Sequence, residues 1–395
     1  MLSTFGDSLV PLTLAFASFQ VGGPGALGLV LAANRLPIAV LVLFGGALGD
    51  RWNRKRLMVA ADVLRCGTQA ATGFLLIAGA AELWHLIVLQ ALAGAGTAVF
   101  TPTASGLVPS LVPPDLLQRA NALLGLAANT NKVLSISTAG VLVATVGPGT
   151  ALLVDAGTFA ASGLALALLR TPREVPARAG SNLWREMRAG AGLVARTPWL
   201  LTLLTYSALF QALVIGPHMV AGPLLSAEAY GGAGAWATIG VVQAVGSVLG
   251  GALALRWHPR RPLYAAVAVS LLLVPYLVLF ALHAPLWLVA ASGLAVGAQG
   301  AFFLTAQSTA IQRNVPESAR SRIAAWTQLG NLVLLPASLA LSGPIITRTG
   351  STAVLLVGAG WLLVSTLFVL RTKPVRDLRH AKDSPTDTPK EADGT

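Results

Sequence analysis

The chain has 395 residues, 55% hydrophobic and 11% charged, with a formal net charge of +12. Soluble domains carry about 25% charged residues, so the composition excludes an ordinary soluble protein and points to a chain embedded in a membrane along most of its length. The single Cys66 excludes an internal disulfide and a thiolate metal site.

Apolar runs of about 20 residues, the length that crosses hydrocarbon, predict twelve spans. They lie near residues 3–21, 26–48, 57–80, 84–106, 120–146, 150–170, 199–222, 233–255, 263–283, 286–308, 323–346 and 351–371. Barrel strands would alternate over about 10 residues, and these runs do not. The expected fold is an all-α integral membrane protein with twelve transmembrane helices in two six-helix bundles. Its expected parts are an N-terminal bundle (1–170), a linker (171–198), a C-terminal bundle (199–371) and a disordered polar tail (372–395). Within the linker, Leu183, Met187 and Val194 form one apolar helical face beside Arg185 and Arg188, which suits a helix on the membrane surface or a plain tether. The first basic residue is Arg35, so a cleaved signal peptide is not expected.

Basic residues set orientation. Those of 51–56, 119, 170–196, 256–261, 313–322 and 371–390 fall on one side of the predicted spans, whereas the other side receives Arg348. The crowded side is expected to be cytoplasmic, with both termini there, in the cell membrane. The positive charge then reflects topology, and no nucleic-acid partner is expected.

The halves repeat. A shift of 205 residues aligns GGALGDRWNRKR (45–56) with GGALALRWHPRR (250–261). A shift of 203 aligns 98–122 with 301–325, matching Phe100 with Phe303 and Arg119 with Arg322. Parallel repeats of this kind place a substrate site between the halves near the bilayer midplane.

GGALGDRWNRKR resembles the loop signature between helices 2 and 3 of the major facilitator superfamily, with Gly46, Asp50, Arg51, Arg54 and Lys55 in the matching places. ADVLR (61–65), the stretch 100–123, LLVDAGTF (152–159) and GGALALRWHPRRPL (250–263) look like its enterobactin-exporter-like and macrolide-efflux-like (drug:proton antiporter) branch. The resemblance implies alternating access and proton-driven export of small organic molecules. It also implies that Asp50 docks near the start of span 11, expected about Ser321, beside Arg320 and Arg322 as a conformational gate. The second copy has Leu255 in place of that acid. Span 5 reads Ser135-Ile136-Ser137-Thr138-Ala139-Gly140 where antiporters of the superfamily carry a Gly-Pro pair. That departure keeps an uncoupled facilitator or importer of a metabolite as an alternative, and a lysophospholipid-type flippase as another.

Charges within spans cost about 2.5–3.5 kcal/mol each on insertion scales and call for a reason. Asp7 in span 1 and Arg35 in span 2 lie at similar depth. They read as a proton-coupling pair, as a static buried ion pair, or as an Asp7 placed at the interface. Asn121, Gly125, Asn129, Lys132 and Ser135 make one polar stripe on span 5, expected to line a cavity, with Lys132 attracting an anionic or carbonyl-bearing substrate or else snorkelling. Ser207, Gln211 and His218 make a similar stripe on span 7. Gln243, Gln299 and Asn331 add neutral groups that line the cavity or join helices. Asp62 and Arg65 read as a structural pair at the cytoplasmic end of span 3, and Asp155, near the outer end of span 6, has no assigned role. GxxxG spacings at Gly246/Gly250 and Gly293/Gly297 predict close packing of spans 8 and 10.

The sequence contains no GxxxxGK[ST], HExxH or GxSxG stretch, so neither a nucleotide-driven motor nor an enzyme is expected. No metal and no cofactor are expected. The expected partners are a small-molecule substrate, protons and the lipid bilayer, and the expected state is a monomer.

Overall fold

The computed structural model describes residues 2–51, 53–113, 116–169, 183–257, 259 and 261–376. Side chains at 42–51, 105–111 and 328–332, among others, lie outside the described part. Among the described residues the chain is helical: α1 (Leu2–Arg51), α2 (Arg54–Ile77), α3 (Leu83–Leu111), α4 (Leu117–Leu168), α5 (Leu183–Arg196), α6 (Pro198–Phe210), α7 (Gly216–Ala229), α8 (Ala233–Arg256), α9 (Pro262–Val269), α10 (Leu273–Ala281), α11 (Leu286–Asn314), α12 (Glu317–Thr349), α13 (Ser351–Arg371) and α14 (Lys373–Arg376).

Two of these helices each cross twice. α1 reverses at Gly23 (φ 65°, ψ −164°) and α4 at Gly147 (φ 85°, ψ 166°), just before Pro148. At these φ values a β-carbon is strained, so glycine is what lets the chain turn without a loop. Span 7 is α6 and α7 joined by a π-helical turn, Gln211–Ile215, and span 9 is α9 and α10 joined by a 3₁₀ turn, Ser270–Leu272. Twelve passes result among the described residues. Their outward surfaces are apolar, with Phe74, Leu168, Trp287, Val357 and Phe368 each more than 60% exposed. That is the surface a bilayer would cover.

α1 to α4 pack on one another, and α6 to α13 do the same. The halves meet through α1 against α12 and α4 against α8. These crossings are tight at the end of the molecule that carries the Gly23 and Gly147 turns. A β-carbon on Gly28 would overlap the Leu339 carbonyl, and one on Gly140 would overlap Ala237. The expected contact of spans 8 and 10 is equally close: β-carbons at Gly246, Gly250 and Gly297 would overlap backbone atoms of Leu294, Ala298 and Gln243.

Two expectations change. The α5 helix forms, but Val194 is buried with Leu200, Val315, Ala319 and Ile323, and Leu193 packs on the same cluster. Part of its apolar face therefore rests on the base of α12 rather than on lipid. α12 starts at Glu317, about one turn before Ser321, because Pro316 occupies the cap and fixes the entry.

Candidate functional site

Ser3 and Asp7 stand four residues apart, on one face of α1, and that face meets α2 at Arg65. The Arg65 guanidinium donates from Nη1 to both Asp7 carboxylate oxygens, at 3.2 and 3.3 Å, and from Nη2 to Ser3 Oγ at 2.8 Å. Nη2 also bonds Asp62, three residues back on α2. The cation is sandwiched between rings, its Cζ lying 4.3 Å from the Phe100 centroid and 4.4 Å from that of Phe159. Arg65 and Asp62 are buried, whereas the Asp7 side chain keeps 36% exposure.

This arrangement corrects the expected pairing. The ion-pair partner of Asp7 is Arg65, because Arg65 is the twelfth residue of the 24-residue α2 and so lies at mid-span, not at the end of the helix where the sequence reading puts it. Arg35 lines the same cavity as Asp7 and Arg65, together with Asn34, Gln69, Thr97 and Phe159, around a volume of about 130 Å³.

Asp155 is the second correction. It is fully buried against the first arm of α1, where a β-carbon on Gly6 would overlap its Oδ1. Thr158 Oγ1 lies 3.5 Å from Oδ1, and the Gln69 amide lies beside the carboxylate. A neutral chain leads away from it: Gln90 Nε2 donates to Gln69 Oε1 at 2.9 Å, and Asn34 Nδ2 donates to Gln90 Oε1 at 3.3 Å. Sequence reasoning misses Gln69 and Gln90, since single glutamines in apolar runs carry no spacing signal.

The stripe on span 7 does not hold together. The π-helical turn inserts an extra residue and rotates the C-terminal part of the span by about 100°. Gln211 stays half-buried in that turn, while His218 Nε2 meets Tyr276 Oη at 2.9 Å amid Trp236 and Phe280. Gln299 is buried and donates to Ser270 Oγ at 3.1 Å, joining α11 to the span 9 turn. Gln243 lies beside Tyr276, and its Nε2 has no partner among the described residues. On α4, Ser135 is buried and bonds the Asn131 carbonyl, whereas Lys132 is exposed. The side chains of Asn121, Asn129 and Asn331 lie outside the described part, and the backbone of Gly125 lies within α4.

Of the loop signature, Gly46, Asp50 and Arg51 end α1, and their side chains, with those of Arg54 and Arg322, are outside the described part. Two members are placed. Lys55 Nζ donates to the carbonyls of Ala167 and Leu169, both at 2.7 Å, capping the end of α4. Arg320 Nε donates to the Val315 carbonyl at 3.1 Å.

A family model described as Major Facilitator Superfamily matches residues 1–330. The chain belongs to the major facilitator superfamily. Among superfamily relatives, it is 26% identical over 345 residues to multidrug efflux pump Tap of Mycolicibacterium fortuitum, covering 83% of this chain and 82% of that one. It is 28% identical to the uncharacterized MFS-type transporter YfiS of Bacillus subtilis (strain 168), over 54% of this chain and 52% of YfiS, about half its length. It is 23% identical to macrolide efflux protein A of Streptococcus pyogenes, over 59% and 58%. The fold is shared with a mutant of the nucleoside transporter NupG (TM-score 0.76, 14% identity, 93% and 97% coverage). It is also shared with a bacterial homologue of the iron transporter ferroportin in an inward-facing state (TM-score 0.74, 15% identity, 94% and 96% coverage). The chain is thus a multi-pass membrane transporter of this superfamily.

Proposed function

We propose that the protein exports a small, amphipathic organic compound by proton-coupled alternating access. The observation that carries the reading is the ion network of the N-terminal half. Asp7 is a carboxylate half-open to a cavity, tied to a buried Arg65 and flanked by Arg35. Intramembrane acids facing a cavity mark proton or ion pathways, and a proton on Asp7 would release its hold on Arg65. The efflux relatives support the direction of transport. On α4, Lys132 is two turns from Ala139, which packs on Leu9 and Leu12 of α1. The two residues share a face, so exposed Lys132 looks onto the space where the halves separate, with Asn129, Gln211, Gln243 and Asn331 as further cavity candidates.

In this reading the basic end is cytoplasmic, with both termini there, in the cell membrane. The tight crossings of α1 on α12 and α4 on α8 then close the outer side, and the conformation is inward-facing. The gate of Asp50 with Arg320 and Arg322 belongs to the opposite state, in which Arg320 exchanges its Val315 carbonyl for the carboxylate. The protein works as a monomer.

Inverted vesicles from cells expressing the protein, loaded with a pH-sensitive dye, test this with erythromycin and ethidium as probes. Probe uptake accompanied by proton release from the lumen is expected. Uptake without proton movement would make the protein a facilitator, and movement of lysophospholipid alone would make it a flippase.

A further inference from the structure

Arg65 is engaged at Nη1 and Nη2 by Asp7, Ser3 and Asp62, while its Nε is buried with no partner among the described residues. Asp155 lies beside this network but receives none of those hydrogen bonds. Its Oδ2 is buried without a partner among the described residues, and its Oδ1 is met by the hydroxyl of Thr158. Its neighbour Gln69 is also neutral. The charged groups that act on it are Asp7 on the first arm of α1 and Arg65 on α2, with Arg35 of the second arm beside them at the cavity and Asp62 bonded to Arg65; α3 contributes the neutral Gln90. Asp7 and Asp62 already balance Arg65 and Arg35, so an ionised Asp155 would leave the cluster with one negative charge in excess. A buried, unpaired carboxylate is strongly disfavoured, and the group takes a proton instead. Gln69 lines the cavity and lies beside Asp155, so it stands between the acid and the cavity.

We propose that Asp155, rather than Asp7, carries the coupling proton, and that Asp7 and Arg65 sense its charge. The proton arrives from hydronium in the cavity and forms an O–H bond on the Asp155 carboxylate, leaving water behind. On release that bond breaks, the electron pair stays on the carboxylate, and water takes the proton. Ionised Asp155 then competes with Asp7 for Arg65. Freed of Arg65, Asp7 changes the charge that the cavity presents to substrate. Asn34, Gln90 and Gln69 form the neutral chain that runs from the cavity wall to the side of the acid.

This inference rests on the proton-coupled reading, but infrared difference spectroscopy separates the two. Purified protein in liposomes, titrated with acid and base without any substrate, should show the carbonyl stretch of a protonated carboxyl group that appears and disappears reversibly. Asp155→Asn should remove that band, Asp7→Asn should leave it in place, and Gln69→Leu should move its midpoint along the pH axis. In the vesicle assay, Asp155→Asn should lose proton flux while still exchanging erythromycin across the membrane. The proposal is overturned if the band is absent from the wild type, if it survives in Asp155→Asn, or if it never titrates. It is also overturned if Asp155→Asn still drives erythromycin against its gradient. If Asp155→Asn does not fold, the Gln69→Leu shift decides, and an unmoved midpoint counts against Asp155. Loss of proton flux in the wild type, with the band still titrating, would instead sink the antiport reading and leave Asp155 as a pH-responsive group.

Discussion

The two halves solve the same packing problem with opposite chemistry. The shift of 205 residues places Ser270 where the first half has Arg65, and the shift of 203 places Gln299 where it has Gly96. In the first half the bare Gly96 backbone makes room for the Arg65 stem, which a β-carbon there would crowd. In the second, a long glutamine reaches a short serine, and the neutral pair is completed by Tyr206 with Thr366 at 2.9 Å. Long-on-short has been exchanged for short-on-long, so the volume is filled either way. What differs is charge: Asp62 and Arg65 give way to Val267 and Ser270. One bundle is built around an ionic cluster and the other around neutral polar pairs, so the repeat keeps its packing while one copy carries the buried charge.

The largest effect should come from breaking the ionic half. Arg65→Met leaves the buried Asp62 and the adjoining Asp7 without their cation, a loss of about 3–5 kcal/mol when one partner of a buried pair is removed. Thermal unfolding in detergent should show this as failed or sharply destabilised folding. Transplanting the second-half solution, Asp62→Val with Arg65→Ser and Gly96→Gln, should recover folding while leaving proton flux in vesicles absent. If the triple variant transports protons like the wild type, the comparison has no functional content.

Next in size is Gly6→Ala. Its methyl group would overlap the Asp155 carboxylate and the Thr158 hydroxyl; overpacking of this kind costs about 1–3 kcal/mol. The variant should be less stable in the same melt, and its carboxyl band should shift. An unchanged melt would mean that α1 and α4 are not in contact at this point.

Tyr276→Phe tests the neutral half. It removes the partner of His218 and leaves a buried ring nitrogen unmet, a penalty of about 1–3 kcal/mol, with proton coupling intact. Loss of coupling with a normal melt would move part of the ionic function into the second bundle. Smallest is Lys55→Ala, which uncaps the last carbonyls of α4 at a partly exposed site and should cost about 0.3–1 kcal/mol. The same melt checks it, and a larger drop would show that the cap holds more than one helix end.

The spans are legible in the sequence because hydrocarbon imposes one length and one polarity on every pass. The turns at Gly23 and Gly147 are legible because glycine beside proline marks them. Asp7 and Arg35 stand out as intramembrane charges, yet their pairing does not, since depth along a helix does not say which face it presents. Ser3 and Asp7 point at α2 only because α1 and α2 pack that way. Asp155 gives no hint of burial, because burial is decided by Gly6 on another helix. His218 departs from its expected stripe for a local reason: one inserted residue at Gln211–Ile215 rotates the rest of the helix, and nothing in the letters announces it.

The seat of α5 on the foot of α12 has a mechanical consequence. The segment joining the bundles is anchored on the second bundle through Val194, Ile323 and Ala319, and Lys55 clasps the end of α4, where the first bundle hands over to that segment. Any displacement of one bundle against the other must therefore keep or break two fixed attachments, the seat of α5 on α12 and the clasp of Lys55 on α4.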